Sequence, residues 1–312
     1  MKTLFISSGN SKNGISPIVK NQGISLEGRG VTVDYFTIQG KGLLGYLKNI
    51  LPLRRHLKKH HYDIIHAHYS LTAFAATLAG CRPLVVSLMG SDIRLGFIFK
   101  KLTKLFAATR WHALIVKSED MRHHLQLEDC HIIPNGIDTT HLISLDKGTS
   151  QQALSWNPEK KHLLFAANPS RQVKNYPLFS AATAALNFGD AVDCHALEDV
   201  PHQDIPAYFN AADVVVLTSL WEGSPNVIKE AMACNCPIVA TDVGDIAWLF
   251  GDEPGHFLTS FEPDDVAEKI RQALEFAQVV GKTNGRQRII QLGLDSQTVA
   301  RRIVDVYRSV LS

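Results

Sequence analysis

Two glutamates, Glu222 and Glu230, bracket the segment Glu222-Gly223-Ser224-Pro225-Asn226-Val227 that follows the apolar run Asp213 to Ser219. Ionised carboxylates only accept hydrogen bonds, which suits them to the hydroxyls of a sugar or a ribose. Ser224 at an N-cap and Pro225 at the first helical position predict a helix starting there, with Asn235 and Pro237 as its stop signal. A helix that begins at the carboxyl end of a parallel strand aims its free N–H groups into the crevice where α/β sheets hold ligands, a place suited to a diphosphate. Arg171 and Lys174, just past an earlier apolar run, add two cations able to neutralise a diphosphate as it leaves. Either acid alone reads as an ordinary surface carboxylate; the combination with Gly-Ser-Pro points to a ligand.

The amino-terminal half offers a second, looser set. Ser8 to Ile15 follows the first apolar run, and its Gly14 lets backbone amides come close to a transferring group. His66 and His68 stand at a predicted strand end, where a structural role and a role near an acceptor weigh evenly; His68 is the better functional candidate. Cys234 and Cys236 lack a second ligand pair, so no zinc site is expected.

The elements that must position these groups alternate along the chain. Thr3–Ser7, Val31–Thr37, Asp63–Ala67, Leu84–Leu88 and Ala113–Lys117 read as strands separated by helical patterns, which predicts a mostly parallel sheet. After Ile133-Pro134-Asn135-Gly136-Ile137-Asp138 the sequence turns polar to about residue 160, as a linker would. The pattern restarts with strands at His162–Ala167, Ala191–Leu197, Asp213–Ser219 and Pro237–Thr241. Val299, Ile303, Val306, Tyr307 and Val310 form one apolar face of a last helix that needs a surface to pack on.

A length of 312 residues exceeds one ordinary core, so two domains are expected, 1–150 and 151–295, with the helix of 296–312 packing back on the first. Hydrophobic residues at 45% and charged residues at 20% describe an α/β protein, and a net charge of +2 gives no case for nucleic acid. Five cysteines without framework spacing fit a reducing compartment, and no run approaches a membrane span, so a cytoplasmic protein is expected. The basic segments 47–61 and 97–106 pair apolar residues with Lys and Arg; they read evenly as solvated faces or as peripheral contacts with the inner face of a membrane.

The stretch Glu222 to Ala233 resembles the Glu-x7-Glu signature of glycosyltransferase family 4, the group 1 glycosyltransferases. The likeness extends through Asp63-Ile-Ile-His-Ala-His68-Tyr, Gly90-Ser-Asp92, Ile133-Pro-Asn-Gly-Ile-Asp138 and Asn168-Pro-Ser-Arg171-Gln-Val-Lys174-Asn. It implies the α/β GT-B fold, two Rossmann-like domains facing each other across a cleft. The implied activity is a retaining hexosyltransferase that moves a sugar from a nucleotide-diphosphate donor, such as a UDP sugar, to a carbohydrate or lipid-linked acceptor in polysaccharide or glycolipid synthesis. In that frame Glu222 holds the donor sugar's hydroxyls and Glu230 the ribose. Gly223, Ser224, Pro225, Asn226 and Val227 receive sugar and diphosphate, and Gly14 also lies on the donor side. His68 and Asp92 belong to the acceptor side.

No two aspartates stand two positions apart, so the Asp-x-Asp of metal-dependent relatives in another fold is missing; no metal and no cofactor beyond the substrate are expected. The leaving phosphate itself is the implied acceptor of the incoming hydroxyl's proton. The chain departs from the family at Met89, where many members carry a histidine that contacts the donor sugar, at Asn13-Gly14 in place of two glycines, and in the close spacing of Arg171 and Lys174. A nucleotide-sugar epimerase or hydrolase of the same fold, and a non-catalytic nucleotide-sugar-binding protein, remain as alternatives. A nicotinamide dehydrogenase is disfavoured, because no Gly-x-Gly-x-x-Gly follows the first strand.

Overall fold

Strand β1 (Lys2–Ser8) buries Leu4, Phe5 and Ile6 completely, because a strand inside a parallel sheet is covered on both faces. The computed structural model describes residues 1–10, 14–40, 42–90, 92 and 96–312. The chain continues through α1 (Pro17–Glu27), β2 (Thr32–Ile38), α2 (Gly42–Lys48), α3 (Ile50–Lys59), β3 (Ile64–His68), α4 (Ser70–Ala79) and β4 (Leu84–Ser87). Then come α5 (Phe97–Thr109), β5 (Ala113–Val116), α6 (Glu119–Leu125) and β6 (His131–Ile132). The strands form one parallel sheet in the order β2-β1-β3-β4-β5-β6. Its order reverses between β1 and β3, so the turns after these strands flank a topological switch point.

The chain splits into two compact units, 1–136 with 296–312, and 137–295. The second unit contains α7 (Lys147–Leu154), β7 (Lys161–Phe165), α8 (Tyr176–Ala185), β8 (Val192–Ala196), α9 (Ile205–Ala211), β9 (Val214–Leu217) and α10 (Asn226–Ala233). It continues with β10 (Ile238–Thr241), α11 (Ile246–Phe250), β11 (His256–Thr259), α12 (Pro263–Val279) and α13 (Gly285–Gln291). Its parallel sheet runs β11-β10-β9-β7-β8, with the switch point between β7 and β9. Strand β11 has no counterpart in the sequence reading: it is a four-residue edge strand with only Thr259 buried, too short and too exposed to show a pattern.

The expected boundary at residue 150 moves to 136. Residues 137–150 belong to the second unit because their backbone is tied down by side chains rather than by an apolar run. Asn210 donates to the Ile143 carbonyl and accepts from the Leu145 amide, Lys282 Nζ bonds the Leu145 carbonyl, and Asp146 caps α7 at Thr149. Such ties are invisible to hydropathy.

Helix α14 (Ser296–Leu311) lies in the first unit, where Val299, Ile303, Val306 and Tyr307 join one core with Phe5, Val19, Ile64 and Val85. Tyr307 is fully buried and its hydroxyl lies 2.6 Å from His66 Nδ1, while His66 Nε2 lies 2.8 Å from Ser87 Oγ. Burial drives the His66 pKa well below its ordinary value, so the ring is neutral, with one donor and one acceptor nitrogen for these two hydroxyls. The opposite face of the same sheet carries a second core, built from Tyr46, Leu53, Phe74, Trp111 and their neighbours.

Candidate active site

The loops after β7, β9 and β10 interlock at the carboxyl edge of the second sheet. Lys174 Nζ donates to Glu222 Oε1 at 2.5 Å, and Ser219 Oγ donates to the same oxygen at 2.7 Å. Thr218 Oγ1 reaches the carbonyls of Lys174 and Asn175, the Leu220 amide bonds the Val173 carbonyl, and Thr241 Oγ1 bonds the Ser219 carbonyl. The Lys174–Glu222 pair therefore spans the switch point. Lys174 is 7% exposed, so its ammonium has given up most of its water and depends on this carboxylate. Three N–H donors sit on an ammonium, and one serves Glu222. Arg171 lies three residues earlier, exposed at the turn before Gln172–Lys174.

Helix α10 begins later than its sequence suggests. Pro225 is the N-cap residue, extended at φ −70° and ψ 114°, and Asn226 is the first helical residue. Ser224 therefore does not cap: among the described residues its Oγ is buried without a hydrogen-bond partner, as is Asn226 Oδ1. The chain bends at Gly223 and Ser224, because the Lys174 and Ser219 contacts fix Glu222 and delay the first helical turn. The helix ends at Ala233, and Asn235, just past the Cys234 cap with a φ of 60°, supplies the left-handed stop.

Gly244 closes this loop from the other side. At φ +65°, a Cβ there would stand 2.8 Å from the carbonyl oxygens of both Glu222 and Gly223. Only glycine allows that approach. Lys229, fully buried on α10, has its pKa pushed down to about 8 by burial, opposed by the charges of Asp245 and Glu230.

Glu230 lies further along α10 with its side chain 15% exposed, and its Oε1 is 3.5 Å from His202 Nε2. The carboxylate raises the pKa of His202. Sequence reasoning missed His202, Ser219 and Gly244. The turn former Gly244 three residues past a strand was a usable signal; His202 was not, since the strand before its loop carries a weak pattern of half-buried residues.

In the first unit, Gly14 takes φ +75° past β1, while its neighbours Ser11, Lys12 and Asn13 lie outside the described residues. His68 closes β3, buried against Phe5 and stacked on His66 at 4.3 Å, with neither ring nitrogen hydrogen-bonded among the described residues. Burial, reinforced by Lys117, drives its pKa down to about 3, so it is neutral. Asp92 uses both oxygens on backbone: Oδ1 accepts from the Ser70 amide at 2.6 Å and Oδ2 from the Met89 amide. It thus clamps the start of α4 to the loop after β4, and burial raises its carboxyl pKa.

Helices α3 and α5 both pack on α4. Arg54 of α3 donates to the carbonyls of Leu78 and Ala79, and Phe74 of α4 packs on Phe99 and Phe106 of α5. The apolar face predicted for 97–106 is only partly covered: Leu102 and Phe106 meet the core, but Ile98 is 70% and Leu105 54% exposed.

The family profile described as "Glycosyltransferase Family 4" matches residues 13–141, and that described as "Glycosyl transferases group 1" matches residues 160–275. The lipopolysaccharide core biosynthesis mannosyltransferase LpsB of Rhizobium meliloti is 30% identical over 243 residues, 66% of this chain and 68% of that protein. The putative teichuronic acid biosynthesis glycosyltransferase TuaC of Bacillus subtilis is 27% identical over 61% of this chain, which spans 55% of its length. Among solved structures, sucrose-phosphate synthase from Thermosynechococcus elongatus superposes with a TM-score of 0.85 at 18% identity, covering 99% of this chain and 98% of that one. HepE from Anabaena in complex with UDP gives 0.76 at 21% identity, covering 99% and 100%. With its two parallel-sheet α/β units of the GT-B fold, the chain belongs to glycosyltransferase family 4, the group 1 glycosyltransferases.

Proposed function

We propose that this protein is a retaining hexosyltransferase that moves a sugar from a nucleoside-diphosphate donor to a hydroxyl of a carbohydrate or lipid-linked acceptor in polysaccharide or glycolipid synthesis. The observation that carries this reading is the Lys174–Glu222 pair across the switch point beside the start of α10. Its carboxylate suits the donor sugar's hydroxyls. Its ammonium, with Arg171 and the backbone amides of Gly223, Ser224, Asn226 and Val227 around the start of α10, suits the diphosphate, and Glu230 suits the ribose. The bond between the anomeric carbon and the diphosphate breaks as the bond to the acceptor oxygen forms, and the leaving phosphate takes the acceptor's proton. Charge on the phosphate is then met by fixed cations and amides, without metal or cofactor. In the first unit, Gly14 belongs to the donor side. On the acceptor side, the neutral His68 supports the end of β3 from inside the unit, and Asp92 holds the loop that carries Met89.

UDP sugars are the first donors to try, since HepE was crystallised with UDP. The protein should transfer sugar from one nucleotide class in the presence of EDTA, with the product linkage keeping the donor's anomeric configuration by NMR. Inversion, or turnover of donor without transfer, would count against this reading.

The acceptor side is proposed to work at the inner face of an anionic membrane. No Asp or Glu occurs from Gln39 to Tyr62 or from Gly96 to Ser118, while Leu44, Leu51, Phe97 and Ile98 stand 60–71% exposed among exposed Arg55, Lys58, Lys59 and Lys101. No helix among the described residues is long and apolar enough to cross a membrane. Sedimentation with vesicles should require anionic lipid and weaken as salt rises; binding indifferent to both would sink the idea.

A further inference from the structure

Glu230 is a nearly buried carboxylate, 15% exposed, and such a group is costly without a partner. Its partner comes from a different loop. His202 follows β8 in a single 3-10 turn, His202–Asp204, and places Nε2 3.5 Å from Glu230 Oε1. The ring is itself held: His141 stacks on it at 5.9 Å and 27°, with His141 Nε2 3.4 Å from the His202 carbonyl oxygen. Asp138 adds a second negative charge near the ring.

We infer that His202 is a positioning residue for nucleotide binding, holding one oxygen of Glu230 so that the other is presented to the ribose diol. This rests on the reading of Glu230 as the ribose ligand. A carboxylate offers acceptor sites on both oxygens, and a ring nitrogen held 3.5 Å from Oε1 leaves Oε2 for the diol in one orientation rather than many. Without His202 the Glu230 side chain still carries its charge, but it samples rotamers and must be ordered when the nucleotide binds. His202 therefore acts on discrimination of the ribose hydroxyls and leaves the diphosphate contacts at the start of α10 untouched.

The test is titration calorimetry of UDP, GDP and ADP, each against its 2′-deoxy form, on the full chain. Loss of one hydroxyl bonded to a carboxylate should weaken binding about tenfold in the unaltered protein. Glu230→Gln should largely erase this penalty, and His202→Ala should cut it to about threefold. His202→Gln, whose amide N–H can take the place of Nε2, should restore it. If Glu230→Gln erases the penalty while His202→Ala keeps it whole, the role of His202 is overturned and that of Glu230 stands. If every variant keeps the full penalty, the reading of Glu230 itself fails.

Discussion

Replacing Lys174 by Met should lower the turnover number by about 10²–10³, the usual effect of removing one fixed group that meets charge developing in a transition state. Lys174 is 7% exposed and its ammonium is anchored 2.5 Å from Glu222, so its position does not have to be organised during the reaction. Met keeps the apolar stem of the side chain and removes the ammonium, with its charge and its N–H donors. Some stability is lost too, about 2 kcal/mol, because Glu222 is left with a partly buried and uncompensated charge. Glu222→Gln in the same chain should return most of that stability and none of the activity, since the two groups act as a unit. Steady-state kinetics and thermal unfolding on the single and double variants check this. A Lys174→Met protein within threefold of the parent turnover would remove Lys174 from the chemistry.

Gly244→Ala should be the most damaging change that touches no charge. The new Cβ would meet two carbonyl oxygens at 2.8 Å, those of Glu222 and Gly223, and backbone cannot swing aside as a flexible side chain would. Left-handed strain at φ +65° adds to the clash. Together these should cost about 3 kcal/mol, or a fall of roughly 6–12 °C in Tm for a unit of this size. Donor turnover should fall at least about tenfold, because the loop that must shift carries Glu222. Gly281→Ala is the matching control: at φ +92° with nothing within 4 Å of its Cβ, it carries backbone strain alone. It should cost only about 1 kcal/mol and leave turnover unchanged. Equal effects at both positions would mean that Gly244 has no special bearing on the site.

Much of the fold was legible because parallel strands announce themselves as short apolar runs, and Leu163 to Phe165 or Val214 to Leu217 do so without ambiguity. The amphipathic spacing of Val299 to Val310 likewise specified a helix with a face to bury. What stayed hidden depended on polar side chains meeting across the sequence. Asn210 and Lys282 pin residues 143–145 to the second unit, and no local pattern reports a bond spanning some 65 to 138 residues. The Ser-Pro pair argued for a helix start at Ser224, yet tertiary contacts at Glu222 hold the chain in a bend until Asn226. Lys174 and Glu222 were legible as residue types, and their direct pairing was not, since 48 positions separate them.

The most direct test of the account is the binding of UDP, GDP and ADP, followed by thermal shift, in the parent protein and in Glu230→Ala. A ligand bound only by the folded state raises Tm, by an amount that grows with concentration over Kd. A clear shift is expected with one diphosphate, and it should largely disappear in Glu230→Ala without a change in the unliganded Tm of more than a few degrees. Shifts that are equal in the two proteins, or absent with every nucleotide, would contradict it.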